Sequence, residues 1–124
     1  MNLEFIKKNE ILIVKITERL DTASSDIFIK ELVANKQNDI NFIMIDFSKL
    51  NYISSAGLRS ILIIAKELKK QSGELIIYSM PLFIKEVFDM SGFSNIIPIV
   101  DDLEQAITKA ECHSQSGYFK DTSN

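Results

Sequence analysis

The sequence predicts an α/β fold in which a mixed, mainly parallel β-sheet opens with an antiparallel hairpin and is flanked by about four helices. Three observations predict it. Asn41 to Phe47 is a nearly continuous apolar run, which is typical of a strand buried on both faces. Beyond it, short apolar runs alternate with helix-like stretches, as in parallel strands joined by right-handed crossovers. Before it, two apolar runs are separated only by Lys8-Asn9-Glu10, which favours a hairpin.

The first half of the chain is expected to form the hairpin, one helix and the central strand. The hairpin strands are Leu3–Lys8 and Ile11–Thr17, followed by a helix to about Lys36. A cluster of capping residues precedes apolar positions at helical spacing. The capping and first-turn residues are Thr22, Ser24, Ser25 and Asp26, and the apolar positions are Ile27, Phe28, Leu32 and Val33. After the central strand we expect a short loop over Ser48–Ile53.

The second half is expected to continue the alternation of helix and strand. Gly73 and Gly92 each follow a helical stretch, and Pro81 lies in the first turn of another, as is common for these residues. Asp101 and Asp102 place carboxylates where they favour the dipole of a last helix. The expected elements are a helix from Ser54–Ser55 to about Gln71, a strand over Leu75–Tyr78, a helix opened by Ser79 and Pro81, a strand over Ile96–Val100 and a final helix.

Length and composition indicate one soluble, cytoplasmic domain. The chain has 124 residues, 46% hydrophobic and 25% charged, which is enough for a core without metal ions, cofactors or disulfides. We expect the domain to span residues 1–112 and the polar residues 113–124 to form a frayed tail. The single cysteine, Cys112, fits a reducing compartment. Neither a secretory signal nor a membrane span is visible.

The net charge and the single histidine argue against three classes of function: nucleic-acid binding, metal binding and catalysis. The net charge of −3 is mild and spread along the chain, which argues against direct binding to nucleic acid. His113, the only histidine, lies in the predicted tail, where it has no partners for metal or acid–base chemistry. The sequence therefore predicts neither a metal site nor an enzyme.

Ser54 and Ser55 lie beyond the carboxyl end of the central strand, at the start of a helix. In open α/β sheets, ligands and chemistry collect on that side. The first N–H groups of a helix are unsatisfied, so an anion such as a phosphorylated serine is locally favoured there. Capping of the helix by serine would by itself explain the position, because serine is a preferred N-cap.

The surrounding motif resembles the anti-sigma factor antagonist family, the STAS domain. The resemblance runs from about Leu3 to Ile107, and its central segment combines an Asp-x-Ser turn with a Ser-x-Gly-Leu helix start. The matching segments are Arg19-Leu-Asp-Thr-Ala23, Ile45-Asp-Phe-Ser-Lys-Leu-Asn-Tyr-Ile-Ser-Ser-Ala-Gly-Leu-Arg59, Lys66, Gly73-Glu-Leu75 and Phe88-Asp-Met-Ser-Gly-Phe93. This resemblance implies a STAS fold.

The resemblance also implies a partner switch. Members of the family bind an anti-sigma factor that is also a serine kinase of the histidine-kinase-like ATPase fold, and thereby release a sigma factor for transcription. Phosphorylation of one serine blocks binding, and a serine phosphatase restores it. By position the phosphorylated serine is Ser55, with Ser54 as the alternative. Asp46, Ser48 and Gly57 match the turn of the motif.

The chain departs from the family pattern at two positions. Switching members usually carry an aspartate directly before the phosphate acceptor, where this chain has Ser54. Many members have serine or threonine where it has Ala56. Other STAS domains act as scaffolds, so the alternative hypothesis is an interaction module of a lipid-transport or sensory assembly without phosphate switching.

The helix that begins at Ser55 is expected to carry a partner surface. At 100° per residue, the positions Leu58, Ile61, Leu62, Ile64, Ala65 and Leu68 share one broad arc, which predicts the buried face. Ile63 falls outside this arc, together with Arg59, Lys66 and Lys70. An apolar side chain among basic residues suits an acidic partner, so we expect Arg59, Ile63 and Lys66 to contact it. By analogy with the family, a monomer is expected.

Three other hypotheses find less support. A serine nucleophile needs a base, and the chain has no Gly-x-Ser-x-Gly elbow, although a lysine base such as Lys66 stays open. A domain phosphorylated on Asp46 would need adjacent acids for magnesium, which the early strands lack. Asp46 is instead expected to accept backbone N–H groups in the turn around Ser48. A nucleotide-binding loop would need a Gly-x-x-x-x-Gly-Lys sequence, which is absent.

Overall fold

The computed structural model describes residues 2–36 and 39–111, which form six strands and four helices. The strands are β1 (Asn2–Lys8), β2 (Ile11–Leu20), β3 (Phe42–Asp46), β4 (Leu50–Ile53), β5 (Glu74–Tyr78) and β6 (Ile99–Val100). The helices are α1 (Thr22–Asn35), α2 (Ser55–Lys70), α3 (Leu82–Ser91) and α4 (residues 103–111). Cys112 and the predicted tail, residues 113–124, lie outside the described residues.

The sheet is mixed, as the sequence predicts, and its strands lie in the order β1-β2-β3-β5-β6. β1 runs antiparallel to β2, while the pairs β2–β3, β3–β5 and β5–β6 are parallel. β3 is buried along its whole length, because helices cover both faces of the sheet at its centre. The predicted fold class is confirmed.

The predicted loop over Ser48–Ile53 is wrong, because its last four residues form β4, parallel to the end of β2. β2 runs to Leu20, three residues beyond the predicted end, and its pairing with β4 is shifted by an irregularity between Glu18 and Arg19. Glu18 has a φ of 74°, in the left-handed region. This bend turns the end of β2 away from β3 and towards β4. A four-residue strand with two exposed residues gives too weak an apolar pattern to be predicted.

The core has two layers, one on each face of the sheet. On one face, α1, α2 and α3 contribute Phe28, Ile61 and Phe88 to a large cluster with inward-facing strand residues. On the other face, α4 contributes Ala106 and Ala110 to a smaller cluster. Side chains alternate between the layers along β2 and β3, as the two-residue period of a strand requires.

The end of α2 and the start of β6 differ from the prediction. Ser72, with a φ of 63°, takes the left-handed position after α2, and Gly73 instead packs where a β-carbon would overlap the carbonyl oxygen of Asn41. Gly92 does end α3 in the left-handed conformation, as expected. The predicted strand over Ile96–Val100 is only Ile99–Val100, because the N–H groups of Ile96 and Ile97 donate to the carbonyl oxygen of Phe93 at the end of a 3-10 turn.

Candidate functional site

The two adjacent serines at the start of α2 have different roles. Ser54 is the N-cap: its backbone is extended, with φ −94° and ψ 173°, and its hydroxyl accepts a hydrogen bond of 3.1 Å from the N–H of Gly57. The backbone N–H of Ser54 also donates to the carbonyl oxygen of Leu20 at 2.9 Å, which fixes the start of α2 to the end of β2. The Ser54 hydroxyl is therefore engaged in the fold.

Ser55 is the first residue of α2 and is exposed. Its hydroxyl makes no hydrogen bond to any of the described residues. The interpretation that capping explains Ser55 is thus wrong, since Ser54 does the capping. In the first turn, an added anion lies close to unsatisfied N–H groups and to the positive end of the helix dipole.

Gly57 lies in the first turn of α2 and not in the turn of Asp46 and Ser48, with which the motif groups it. It is buried, and a β-carbon there would overlap the carbonyl oxygen of Leu20 and stand 2.9 Å from the side chain of Ile53. Any larger residue would push α2 away from the ends of β2 and β4. Gly57 therefore places the serines at the edge of the sheet.

The turn prediction for Asp46 is confirmed. The buried carboxylate of Asp46 accepts a hydrogen bond of 2.8 Å from the backbone N–H of Ser48, at the end of β3. Asp46 also pairs in register with Tyr78 of β5. Burial, and to a lesser extent the negative charge of Asp46, raises the pKa of Tyr78 to about 12. The turn leads the chain from β3 into β4, and the raised pKa keeps the Tyr78 phenol neutral.

Helix α1 begins beside the start of α2, a proximity that the sequence did not indicate. Leu20 pairs with Ile53, so Asp21, the N-cap of α1, comes next to Ser54. The predicted caps of α1 omitted Asp21, whose carboxylate accepts from the N–H of Ser24, while the Ser24 hydroxyl accepts from the N–H of Asp21. The N–H and the hydroxyl of Ser24 both donate to the Asp21 carboxylate, and these hydrogen bonds, followed by that from Arg19, lower the pKa of Asp21.

Arg19 and Tyr52 cover this edge of the sheet. The Arg19 guanidinium lies 4.2 Å from the centroid of the Tyr52 ring, and its Nε is 3.4 Å from the carboxylate of Asp21. Arg19 belongs to the segment that matches the family, but its proximity to the serines depends on the pairing of β2 with β4. Sequence spacing gives no sign of that contact.

The proposed partner residues share one face of α2 with Ser55. Arg59 and Lys66 are exposed and form no ion pair with described residues, and Ile63 is 46% exposed. Ser55 and Arg59 are one turn apart on the same side. Lys66, by contrast, lies three turns from Ser55, about 16 Å along the axis at 1.5 Å per residue. Lys66 is too far away to act as a base for the Ser55 hydroxyl.

Within residues 2–36 and 39–111, no three His, Cys, Asp or Glu side chains cluster in a way that could hold a metal ion. No helix in that part has both the length and the apolar character needed to cross a bilayer.

Comparison with known proteins places the chain in a family. The family model described as the STAS domain matches residues 2–106. A protein of Bordetella bronchiseptica named as a candidate anti-sigma factor antagonist, BtrV, is 34% identical over 106 residues, which are 86% of this chain and 91% of that protein.

Solved structures share the fold at low sequence identity. The crystal structure of a candidate anti-sigma factor antagonist from Thermotoga maritima has a TM-score of 0.83 at 18% identity, covering 88% of this chain and 94% of that one. The phosphorylated form of the Bacillus cell fate determinant SpoIIAA has a TM-score of 0.69 at 19% identity, covering 87% of this chain and 98% of that one.

The fold also occurs within a larger protein. The murine anion transporter Slc26a9 gives a TM-score of 0.75 at 13% identity, over 86% of this chain but 18% of the transporter. The fold alone therefore does not define a function. The family model and the 34% identical relative nevertheless cover most of the chain. The chain belongs to the STAS domain family.

Proposed function

We propose that this protein is a cytoplasmic anti-sigma factor antagonist that switches partners through phosphorylation of Ser55. In the unphosphorylated state it binds an anti-sigma factor that is also a serine kinase of the histidine-kinase-like ATPase fold. Binding frees a sigma factor for transcription. Phosphorylation of Ser55 by that kinase releases the antagonist, and a serine phosphatase returns it to the binding state.

The observation that carries this proposal is the division of roles between the two serines. The Ser54 hydroxyl is bonded to the N–H of Gly57, whereas the Ser55 hydroxyl is exposed and bonded to no described residue. A kinase can reach Ser55 without opening the helix. Phosphate on Ser54 would instead remove the cap of α2.

The fold tolerates a phosphate at Ser55, while the partner surface changes. The phosphate adds a charge of about −2 near the positive end of the α2 dipole. Arg59, one turn further along the same face, is within reach of the phosphate, because residues four apart on a helix are neighbours. A phosphoserine–Arg59 pair would withdraw the guanidinium from an acidic partner, and the new negative charge would repel the same partner.

Mass spectrometry tests which serine accepts the phosphate. The purified protein is incubated with ATP and the kinase-fold anti-sigma factor of the same genome, and the phosphate is located in peptides. We expect phosphate on Ser55 in the wild type and in Ser54→Ala, and none in Ser55→Ala. Phosphate on Ser54 alone would show that the acceptor is misassigned.

Binding measurements test the partner surface of Arg59, Ile63 and Lys66. Arg59→Glu is expected to weaken binding to the anti-sigma factor by at least about tenfold, since like charges would face each other. Lys109→Glu is a matched control, because Lys109 is an exposed cation on α4, on the opposite face of the sheet. Equal affinities of the two variants would contradict the proposed surface.

A second candidate function is a scaffold in a lipid-transport or sensory assembly, without phosphate switching. Two observations favour it: the occurrence of the fold within a transporter, and Ser54 in place of the aspartate that precedes the acceptor in switching members. If neither serine is phosphorylated by any kinase-fold anti-sigma factor of the genome, the scaffold becomes the better hypothesis.

A further inference from the structure

Strand β1 lies at the edge of the sheet. It pairs with β2 along its whole length, and in the described part of the chain no strand pairs with its other side. An edge strand carries a row of backbone N–H and C=O groups that point away from the sheet and can pair with a further strand. The sheet can therefore be extended at β1.

The backbone of β1 shows which residues face outward. In an antiparallel pair, the backbone groups of successive residues alternate between facing the neighbouring strand and facing away from it. Lys8 directly precedes the two-residue turn that joins β1 to β2, so its groups face β2. The carbonyl oxygen of Asn2 also faces β2, since it accepts a hydrogen bond of 3.4 Å from the hydroxyl of Thr17. By this alternation, the backbone groups of Leu3 and Phe5 face outward.

Three exposed side chains of β1 share one face of the sheet. They are those of Glu4, Ile6 and Lys8, because alternate residues of a strand point the same way. Ile6 pairs with Ile13, which belongs to the cluster that α4 covers, yet Ile6 itself is 55% exposed. Glu4 lies opposite Lys15 of β2, but neither Glu4 nor Lys8 forms an ion pair with another described residue.

The spacing of these three side chains is self-complementary. Glu4 and Lys8 each lie two residues from Ile6, on either side of it, and carry opposite charges. When a second β1 lies antiparallel to the first with Ile6 opposite Ile6, Glu4 of each copy faces Lys8 of the other. Opposite charges directly across a strand pair stabilise it. A shift of two residues in either direction places Ile6 opposite a charged residue instead, so one register is favoured.

We propose that this chain forms a two-fold symmetric dimer in which the β1 strands of two copies pair antiparallel, with Ile6 at the axis. Each copy then contributes the same surface, as in other two-fold interfaces. The proposal departs from the monomer that analogy with the family implies.

A groove beside β1 adds apolar area to this contact. It has a volume of about 400 Å3, lies between β1 and α1, and is lined by Leu3, Phe5 and Ile27 among others. Leu3 and Phe5 are only partly buried, and Ile27 is 53% exposed. A pair of strands alone is a small contact for a stable dimer, and a second copy at this edge would also cover part of the groove.

The dimer leaves the candidate site accessible. Ser55 lies at the carboxyl edge of the sheet, and antiparallel pairing of β1 directs the carboxyl edges of the two copies in opposite directions. Each copy therefore keeps its own start of α2 free for a partner. The inference goes beyond the proposed function and does not depend on it.

A charge exchange tests the register, with the dimer Kd of the full chain measured by sedimentation equilibrium. Glu4→Lys and Lys8→Glu should each raise Kd by at least about tenfold, because each substitution occurs twice and creates two pairs of like charges. The double variant restores opposite charges and should return Kd to within about threefold of the wild type. A double variant no tighter than the single ones would overturn the register.

A substitution at the axis tests the apolar contact. Ile6→Asp places two carboxylates opposite each other and should raise Kd by at least about a hundredfold. Met90→Asp is the matched control: Met90 is 89% exposed but belongs to α3, not to β1, and its replacement should change Kd by no more than about twofold. Equal Kd for the two variants would contradict an interface at β1.

Hydrogen exchange identifies what covers the edge. Exchange of the outward-facing N–H of Phe5 should slow as the protein concentration rises through Kd. Slow exchange at all concentrations would show that another segment of the same chain covers β1 and would overturn the proposal. A wild-type protein that stays monomeric up to about 1 mM would overturn it as well. Neither result would affect the proposed phosphorylation of Ser55.

Discussion

Helices α1 and α2 begin side by side at the same edge of the sheet, and their first turns differ. In α1, the N-cap is the carboxylate of Asp21, and the hydroxyl of Ser24, three residues later, accepts a hydrogen bond from the backbone N–H of Asp21. In α2, the N-cap is the neutral hydroxyl of Ser54, and the equivalent third position is Gly57, which returns no side-chain bond.

The start of α1 carries its own negative charge, whereas the start of α2 carries none. The negative charge of Asp21 already compensates the positive end of the α1 dipole. The start of α2 has a neutral cap and no acidic residue in its first turn, so its positive end stays available to an incoming anion. Two helix starts that look similar in sequence therefore differ in what they can bind. This contrast supports Ser55 rather than Thr22, the first residue of α1, as the position suited to a phosphate.

The largest effect on stability is expected from exchanging the third residues of the two helices. Gly57→Ser would give α2 the sequence pattern of the α1 capping box, but its β-carbon would overlap the Leu20 carbonyl. We expect a loss of about 3 kcal/mol in the free energy of unfolding, measured with urea. Ser24→Gly should cost only about 1 kcal/mol, since it removes hydrogen bonds without a clash. Similar losses in both would contradict a special role for Gly57.

A smaller effect is expected from placing a carboxylate at the first position of each helix. Ser55→Asp should raise the free energy of unfolding by about 0.5 kcal/mol at low salt, because the charge meets an uncompensated dipole. Thr22→Asp should raise the free energy of unfolding by less, since Asp21 lies directly before it and already places a negative charge at the start of α1. Urea unfolding at low and high salt checks this, as salt should remove the gain. A larger gain for Thr22→Asp would reverse the proposed contrast.

The smallest expected effect is a pH dependence of stability that arises from Asp21. The pKa of Asp21 in the folded chain lies below its ordinary value of 3.8 because Ser24, and then Arg19, donates hydrogen bonds to the carboxylate. Its charge therefore stabilises the fold above that value, and the contribution is lost as the pH falls through the lowered pKa. Asp21→Asn keeps a capping oxygen but not the charge. Thermal unfolding should show a higher melting temperature for the wild type than for Asp21→Asn at neutral pH, and the difference should shrink as the pH falls below 3.8 and through the lowered pKa.

The sequence by itself determined the fold class and the position of the candidate site. The uniform apolar run of β3 and the alternation after it predicted the parallel sheet, because a buried strand and an amphipathic helix have distinct periods. The motif from Asp46 to Arg59 predicts the turn and the start of α2, and the helical spacing of the apolar residues predicts the exposed face with Ile63. Such features are local, since they depend on residues that are close in the chain.

Only the tertiary structure decided how distant segments meet at the site. The bend at Glu18 pairs β2 with β4, which brings Arg19 and Asp21 beside the serines and the Leu20 carbonyl against Gly57. It also decided which serine caps α2, because the backbone bond from Ser54 to Leu20 fixes where the helix begins. Packing of α1 on α2 left Val33 outside the core. These outcomes depend on contacts across about thirty residues of chain, which no local pattern encodes.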